Sequence, residues 1–192
     1  PVFKVSLSEM FVWRLNFILW RVRTVMQLLV LYFLWSVVFA GQENVFGYTS
    51  AGIFTYILGT SLIRSFSLSS RSVDVAGEIH QGLLTNFLLK PVSYLSWWFT
   101  RDLTDKLVNI VFVTVELSLI YLILKPPIFI QTDPLTLVVT AITIILAVFL
   151  FFYLSFLLSL SGFWVREVWA PRFLAMVFIE FLSGGFFPLD IL

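Results

Sequence analysis

The 192-residue chain contains no cysteine and one histidine, His80. The missing cysteine excludes disulfides, thiolate metal sites and a cysteine nucleophile. A single histidine cannot build a histidine cluster for zinc. Charge is scarce too: Asp, Glu, Lys and Arg make up 12% of the residues, against about 25% in an ordinary soluble domain. The formal net charge is +1, and no cluster of Lys and Arg interleaved with aromatics marks a nucleic-acid partner. No G-x-x-x-x-G-K-[ST] loop occurs, so the chain is not expected to bind ATP itself. No internal repeat, low-complexity tract or cleavable signal peptide is visible. The chain opens on Pro1 rather than methionine, and further N-terminal residues are expected.

What remains is apolar: 60% of the residues are hydrophobic and 18% aromatic. Polar side chains are too few to coat a domain of this size, so lipid is the expected outer solvent. A helix needs about 20 mostly apolar residues to cross a ~30 Å hydrocarbon core. Five segments approach that length: Val25–Ala40, Ala51–Leu68, Leu107–Leu124, Leu135–Trp164 and Ala170–Phe187. Backbone in lipid must satisfy its own hydrogen bonds, so these are expected as helices, with Gly, Pro and Asp turns at the water interfaces. The fold class read here is an all-α polytopic transmembrane bundle, one domain over 1–192.

Lys and Arg orient it. With a cytoplasmic N-terminus, eleven of the twelve fall inside and only Lys125 outside, as the positive-inside rule requires. The stretch 9–24 is amphipathic: Arg14 and Arg21 share a helical face, Arg23 follows, and Phe11, Leu15, Ile18, Leu19 and Val22 cover much of the other side. An interfacial helix with its arginines at headgroup level fits this pattern. The alternative is an inward extension of the first span.

The loop 69–106 therefore faces the cytoplasm. At 100° per residue, Val75, Ala76, Ile79, Leu83 and Phe87 gather on one side, and Asp74, Glu78, Gln81, Gly82 and Thr85 on the other. This predicts an amphipathic helix of about four turns, capped by Ser72 or Asp74 and stopped after Lys90 by Pro91. A helix lying on lipid usually has a basic polar face, whereas this one is acidic and neutral. The glycines at 77 and 82 suit close approach of another backbone, so the expected partner is protein.

Here the chain resembles a family. Gly82-Leu83 followed by Leu88-Leu89-Lys90-Pro91-Val92-Ser93 resembles the first cytoplasmic loop motif of ABC type-2 exporter permeases, and Phe181 to Leu189 (FLSGGFFPL) resembles their S-G, F-P-L element after the fifth span. The order of features agrees along the whole chain. The resemblance implies a dimeric pore, made with a second permease copy or a paralogue, whose coupling helices seat in separate ABC ATPase subunits. ATP and Mg would then sit on those partners, with no cofactor on this chain. The implied ATPase interface is Gly77, Glu78, His80, Gln81, Gly82, Leu83, Leu84, Lys90 and Pro91; the implied elbow is Phe11–Arg23; the implied outer gate is Ser183, Gly184, Gly185 and Pro188. It also implies a bacterial or archaeal inner membrane and a sixth span beyond Leu192.

No catalytic or metal site is expected, and Ser183-Gly184-Gly185 reads as small-residue packing rather than a nucleophile elbow. Ionisable residues within spans are functional candidates by default. Glu116 is either a pore-lining carboxylate, with Asn109 and Ser118 on a polar stripe, or a buried partner of Arg64 or of the Glu180 neighbourhood, or a protonated acid. Arg64 is expected to snorkel. The rival function is a stand-alone secondary transporter or channel, which should show helices broken in mid-membrane.

Overall fold

The structure, a computed structural model, describes residues 14–89 and 91–191. Seven α-helices and one small hairpin follow in chain order among those residues: α1 (Arg14–Val38), β1 (Asn44–Val45), β2 (Tyr48–Thr49), α2 (Ser50–Ser67), α3 (Asp74–His80), α4 (Leu84–Leu88), α5 (Tyr94–Leu124), α6 (Pro134–Leu160) and α7 (Trp169–Leu182). Short 3-10 turns occupy Arg71–Val73, Ser161–Phe163 and Leu189–Ile191.

The boundaries follow from local chemistry. Between β1 and β2, Phe46 and Gly47 both adopt positive φ, 53° and 81°, the paired left-handed conformation that matches the twist of a two-residue hairpin. Thr49 caps α2 by accepting from the Gly52 amide, and Ser93 caps α5 in the same way through the Ser96 amide. Asp133 caps α6, whose first residue is Pro134, where the missing N–H leaves nothing unsatisfied. At the other end of α5, Lys125 turns left-handed, and Pro126-Pro127 prevents continuation.

Three helical segments, Phe17–Val38, Tyr94–Leu124 and Pro134–Phe163, are long and apolar enough to cross a membrane; a fourth qualifies if α2 and the 71–80 segment, bent by 44°, count as one span. The long helices run up and down. The hairpin, the 125–133 connection and the 183–191 turn gather at one end, tied together by the Phe129 amide donating to Thr55 Oγ1 and Tyr48 donating to Asp190. The loops 68–93 and 161–168 gather at the other. Each end has an apolar cluster. Trp35, Phe39, Ile53, Phe54 and Ile57 form the one at the hairpin end; Val75, Trp98 and Phe152 form the one at the loop end. Most other large apolar side chains, such as Leu135, Val138, Leu146 and Leu150 on α6, point outward, as a lipid solvent demands.

Three expectations change. Residues 14–24 are not a separate interfacial helix: α1 runs unbroken from Arg14 to Val38, because it contains no glycine or proline at which to break and Thr24 turns its hydroxyl back to the Trp20 carbonyl instead of capping a new helix, while residues 9–13 lie outside the described residues. The four-turn helix expected over 76–90 is two helices, α3 and α4, interrupted at Gln81–Leu83 by Gly82 at φ 69°; Lys90 lies outside the described residues. The expected fifth span, 170–187, is the 14-residue α7, roughly 21 Å of rise. It ends at Ser183 because Gly184 turns left-handed at φ 73°.

Candidate functional site

Glu116 receives its partner from an unexpected helix. Arg21 of α1 donates from Nε and Nη2 to the two carboxylate oxygens of Glu116, each at 2.6 Å, and from Nη1 to Asn109 Oδ1 at 3.2 Å. The fork is bidentate, the strong form of this pairing, and it lies over the Phe112 ring. Both side chains are mostly covered, within helices long enough to span. Arg21 is therefore engaged within the bundle, and Glu116 is not a free carboxylate. Ser118 does not join them; its hydroxyl returns to the Thr114 carbonyl of its own helix. Arg23 is exposed and lies over the Trp20 ring, and Arg14 begins α1.

Arg64 does not snorkel. From α2 it pairs with Glu180 and donates to the Gly185 carbonyl at 3.1 Å. About two turns away on the same helix, Tyr56 donates to the Gly184 and Phe187 carbonyls. Gly184, Gly185 and Pro188 are buried. A Cβ on Gly185 would meet the Glu180 carbonyl at 2.9 Å, so the second glycine is needed for close approach. Ser183 stays exposed and bonds the Glu180 carbonyl. The S-G-G turn is thus clasped onto the side of α2.

At the loop end, α3 is embedded on one side. Val75 and Ala76 are buried, and Gly162 lies so close that its Cβ would contact Ala76 Cα at 3.5 Å and His80 Nε2 at 3.4 Å. His80 Nε2 also meets the Val165 carbonyl at 3.2 Å. Glu78 accepts from the Tyr94 hydroxyl at 2.7 Å, joining α3 to the first turn of α5. The other side is open: Gln81, Gly82, Leu83, Leu89 and Pro91 are exposed, Leu84 is half-buried, and nothing lies within 4 Å of a Cβ placed on Gly77 or Gly82.

Beneath this surface is a buried polar layer absent from the sequence reading. Lys106 and Asp102, both 0% exposed, pair at 3.3 Å. Lys106 also donates to the Ser67 and Ser69 carbonyls, and Asp102 accepts from the Arg71 amide at 2.9 Å. Arg71 Nε pairs with Asp105 at 2.5 Å. These groups fasten the end of α2 to α5. The available signal was the i, i+4 spacing of Asp102 and Lys106, which the loop assignment for 69–106 obscured. Among the described residues no group of three or more His, Asp or Glu could hold a metal ion.

A family model described as ABC-2 family transporter protein matches residues 25–192. No curated protein and no solved structure matches the chain.

Proposed function

The chain belongs to the ABC-2 family of membrane transporters, and from that premise we propose that it forms half of the pore of an ATP-driven exporter, moved by separate ATPase subunits. Membership makes the chain a multi-pass permease of an ABC transporter and implies ABC ATPase partners in general. The finer reading is that the α3–α4 elbow seats in a cleft of such an ATPase, with ATP and Mg held there. A second permease copy or a paralogue completes the pore, and the loop end faces the cytoplasm of a bacterial or archaeal cell.

One observation carries this reading. The α3–α4 segment is rooted by Val75 and Ala76 while Gln81, Leu83 and Leu89 remain exposed at the tip. An exposed apolar tip on a fixed root suits a protein groove better than water. The roles within the implied interface divide accordingly. Gln81, Gly82, Leu83 and Leu89 are docking residues, whereas Glu78 and His80, engaged within the chain, are positioning residues. Glu116 is half of an ion pair that ties α1 to α5. The Lys and Arg bias of the sequence, nine to one once the intramembrane Arg21 and Arg64 are set aside, supports the cytoplasmic assignment of the loop end. The bend of 44° between α2 and the 71–80 segment is the one feature a stand-alone transporter would share, and family membership weighs against that reading.

The test replaces Leu83 or Leu89 by glutamate and purifies the permease through a tag. The expected outcome is loss of ATPase co-purification and of ATP-dependent transport, with permease abundance in the membrane unchanged. Undiminished co-purification and transport in both variants would refute docking at this tip.

A further inference from the structure

Arg172 lies in the first turn of α7 and is 7% exposed. Its guanidinium is held by the last turns of α6: Nη1 donates to Ser159 Oγ at 2.7 Å and to the Ser155 carbonyl at 3.4 Å, and Nη2 donates to Ser155 Oγ. Ser155 is fixed in turn by the Ser72 hydroxyl at 2.7 Å. All of these partners are neutral. Among the described residues no carboxylate lies within ion-pairing distance of Arg172, and Asp74 acts on it only through space. Its Nε has no hydrogen-bond partner among them. A buried cation without a counter-charge is costly, and the other mostly covered intramembrane arginines of this chain, Arg21 and Arg64, are each paired to a glutamate.

The same side chain lines a recess between α6 and α7, whose walls are Leu154, Leu158, Met176 and Ile179. Leu154 and Met176 are exposed at its rim, so the recess opens sideways, toward lipid. Trp164 is 83% and Trp169 70% exposed on the adjoining loop and helix start, with Trp169 stacked on Phe173. Exposed tryptophans of this kind mark the headgroup level of a bilayer. A cation at that depth beside an apolar slot running along α7 matches one molecule in both charge and shape.

We propose that the α6–α7 recess is a binding site for an anionic phospholipid of the leaflet on the loop side, with the lipid phosphate on Arg172 and an acyl chain along Leu154, Leu158, Met176 and Ile179. The phosphate supplies the missing counter-charge at the edge of the guanidinium that faces the recess. The serines hold the guanidinium in place without neutralising it. The site lies apart from the α3–α4 tip and does not depend on what docks there.

The test is native mass spectrometry of the full-length chain, with any co-purifying partners, after exchange into detergent containing phosphatidylglycerol or phosphatidylcholine. Retention of phosphatidylglycerol over phosphatidylcholine should be about fivefold, the factor contributed by one basic residue facing an anionic headgroup. Arg172→Gln should reduce that ratio to parity. Met176→Trp fills the slot while leaving every Arg172 bond in place, and should lower retention of phosphatidylglycerol even if Arg172→Gln does not fold. Equal retention of the two lipids by the unaltered chain would overturn the proposal. So would undiminished preference in Arg172→Gln, unchanged retention in Met176→Trp, or displacement of the lipid by millimolar inorganic phosphate alone, which would reduce the site to an anion site without a chain slot.

Discussion

The two ends of this bundle are built on opposite principles. At the hairpin end the core is Trp35, Phe39, Ile53, Phe54 and Ile57, held by dispersion and area. At the loop end, Trp98 and Phe152 share the interior with Ser67, Ser72, Asp102, Thr104, Lys106, Ser155, Ser159 and Arg172. Every fully buried polar or charged side chain among the described residues belongs to that end. An apolar core tolerates small slides, since dispersion is non-directional. A hydrogen-bonded and ion-paired layer accepts only particular arrangements and is costly to leave half-made. The apolar core at the hairpin end is therefore the more adaptable of the two, and the loop end is the one with defined geometry.

Breaking one charge at the loop end sharpens the contrast most. Lys106→Met leaves Asp102 buried without its cation and should cost about 3–5 kcal/mol. Adding Asp102→Asn should recover much of that loss, measured by thermal unfolding of the detergent-solubilised permease. At the hairpin end, Ile53→Ala should cost about 2–5 kcal/mol, and no compensating charge change should rescue it. The smallest effect lies outside both cores. The hydroxyl and then the amide of Thr136 hold the Asp133 carboxyl below its ordinary value, so its cap on α6 is fully present above the ordinary carboxylate range and fades as pH falls through the lowered folded value. Hydrogen exchange of the first α6 amides should speed up in acid, and Asp133→Asn should keep a cap while removing that pH dependence.

Hydropathy and turn chemistry make the all-α membrane architecture legible in the sequence, and the family motifs point to a permease. Gly82 was noticed, but as a small residue for packing. Its left-handed conformation, which divides α3 from α4, leaves no signature distinct from ordinary tolerance of glycine. The pairing of Glu116 could not be read, because nothing in an amphipathic pattern says that Arg21 lies alongside α5 rather than at the interface. Arg172 was counted among the cytoplasmic charges. Its burial depends on the Ser155 and Ser159 spacing on a helix from which it is separated by a loop, and long-range contacts of that kind are fixed only by tertiary packing.

The seat of α3 has a mechanical consequence. One contact, Glu78 with Tyr94, joins it to the start of α5; another, Ala76 and His80 against Gly162, joins it to the end of α6. Any displacement of α3 is therefore passed on at two places. It reaches the start of α5 and the end of α6 at once, so α3 couples the two helices like a shared axle.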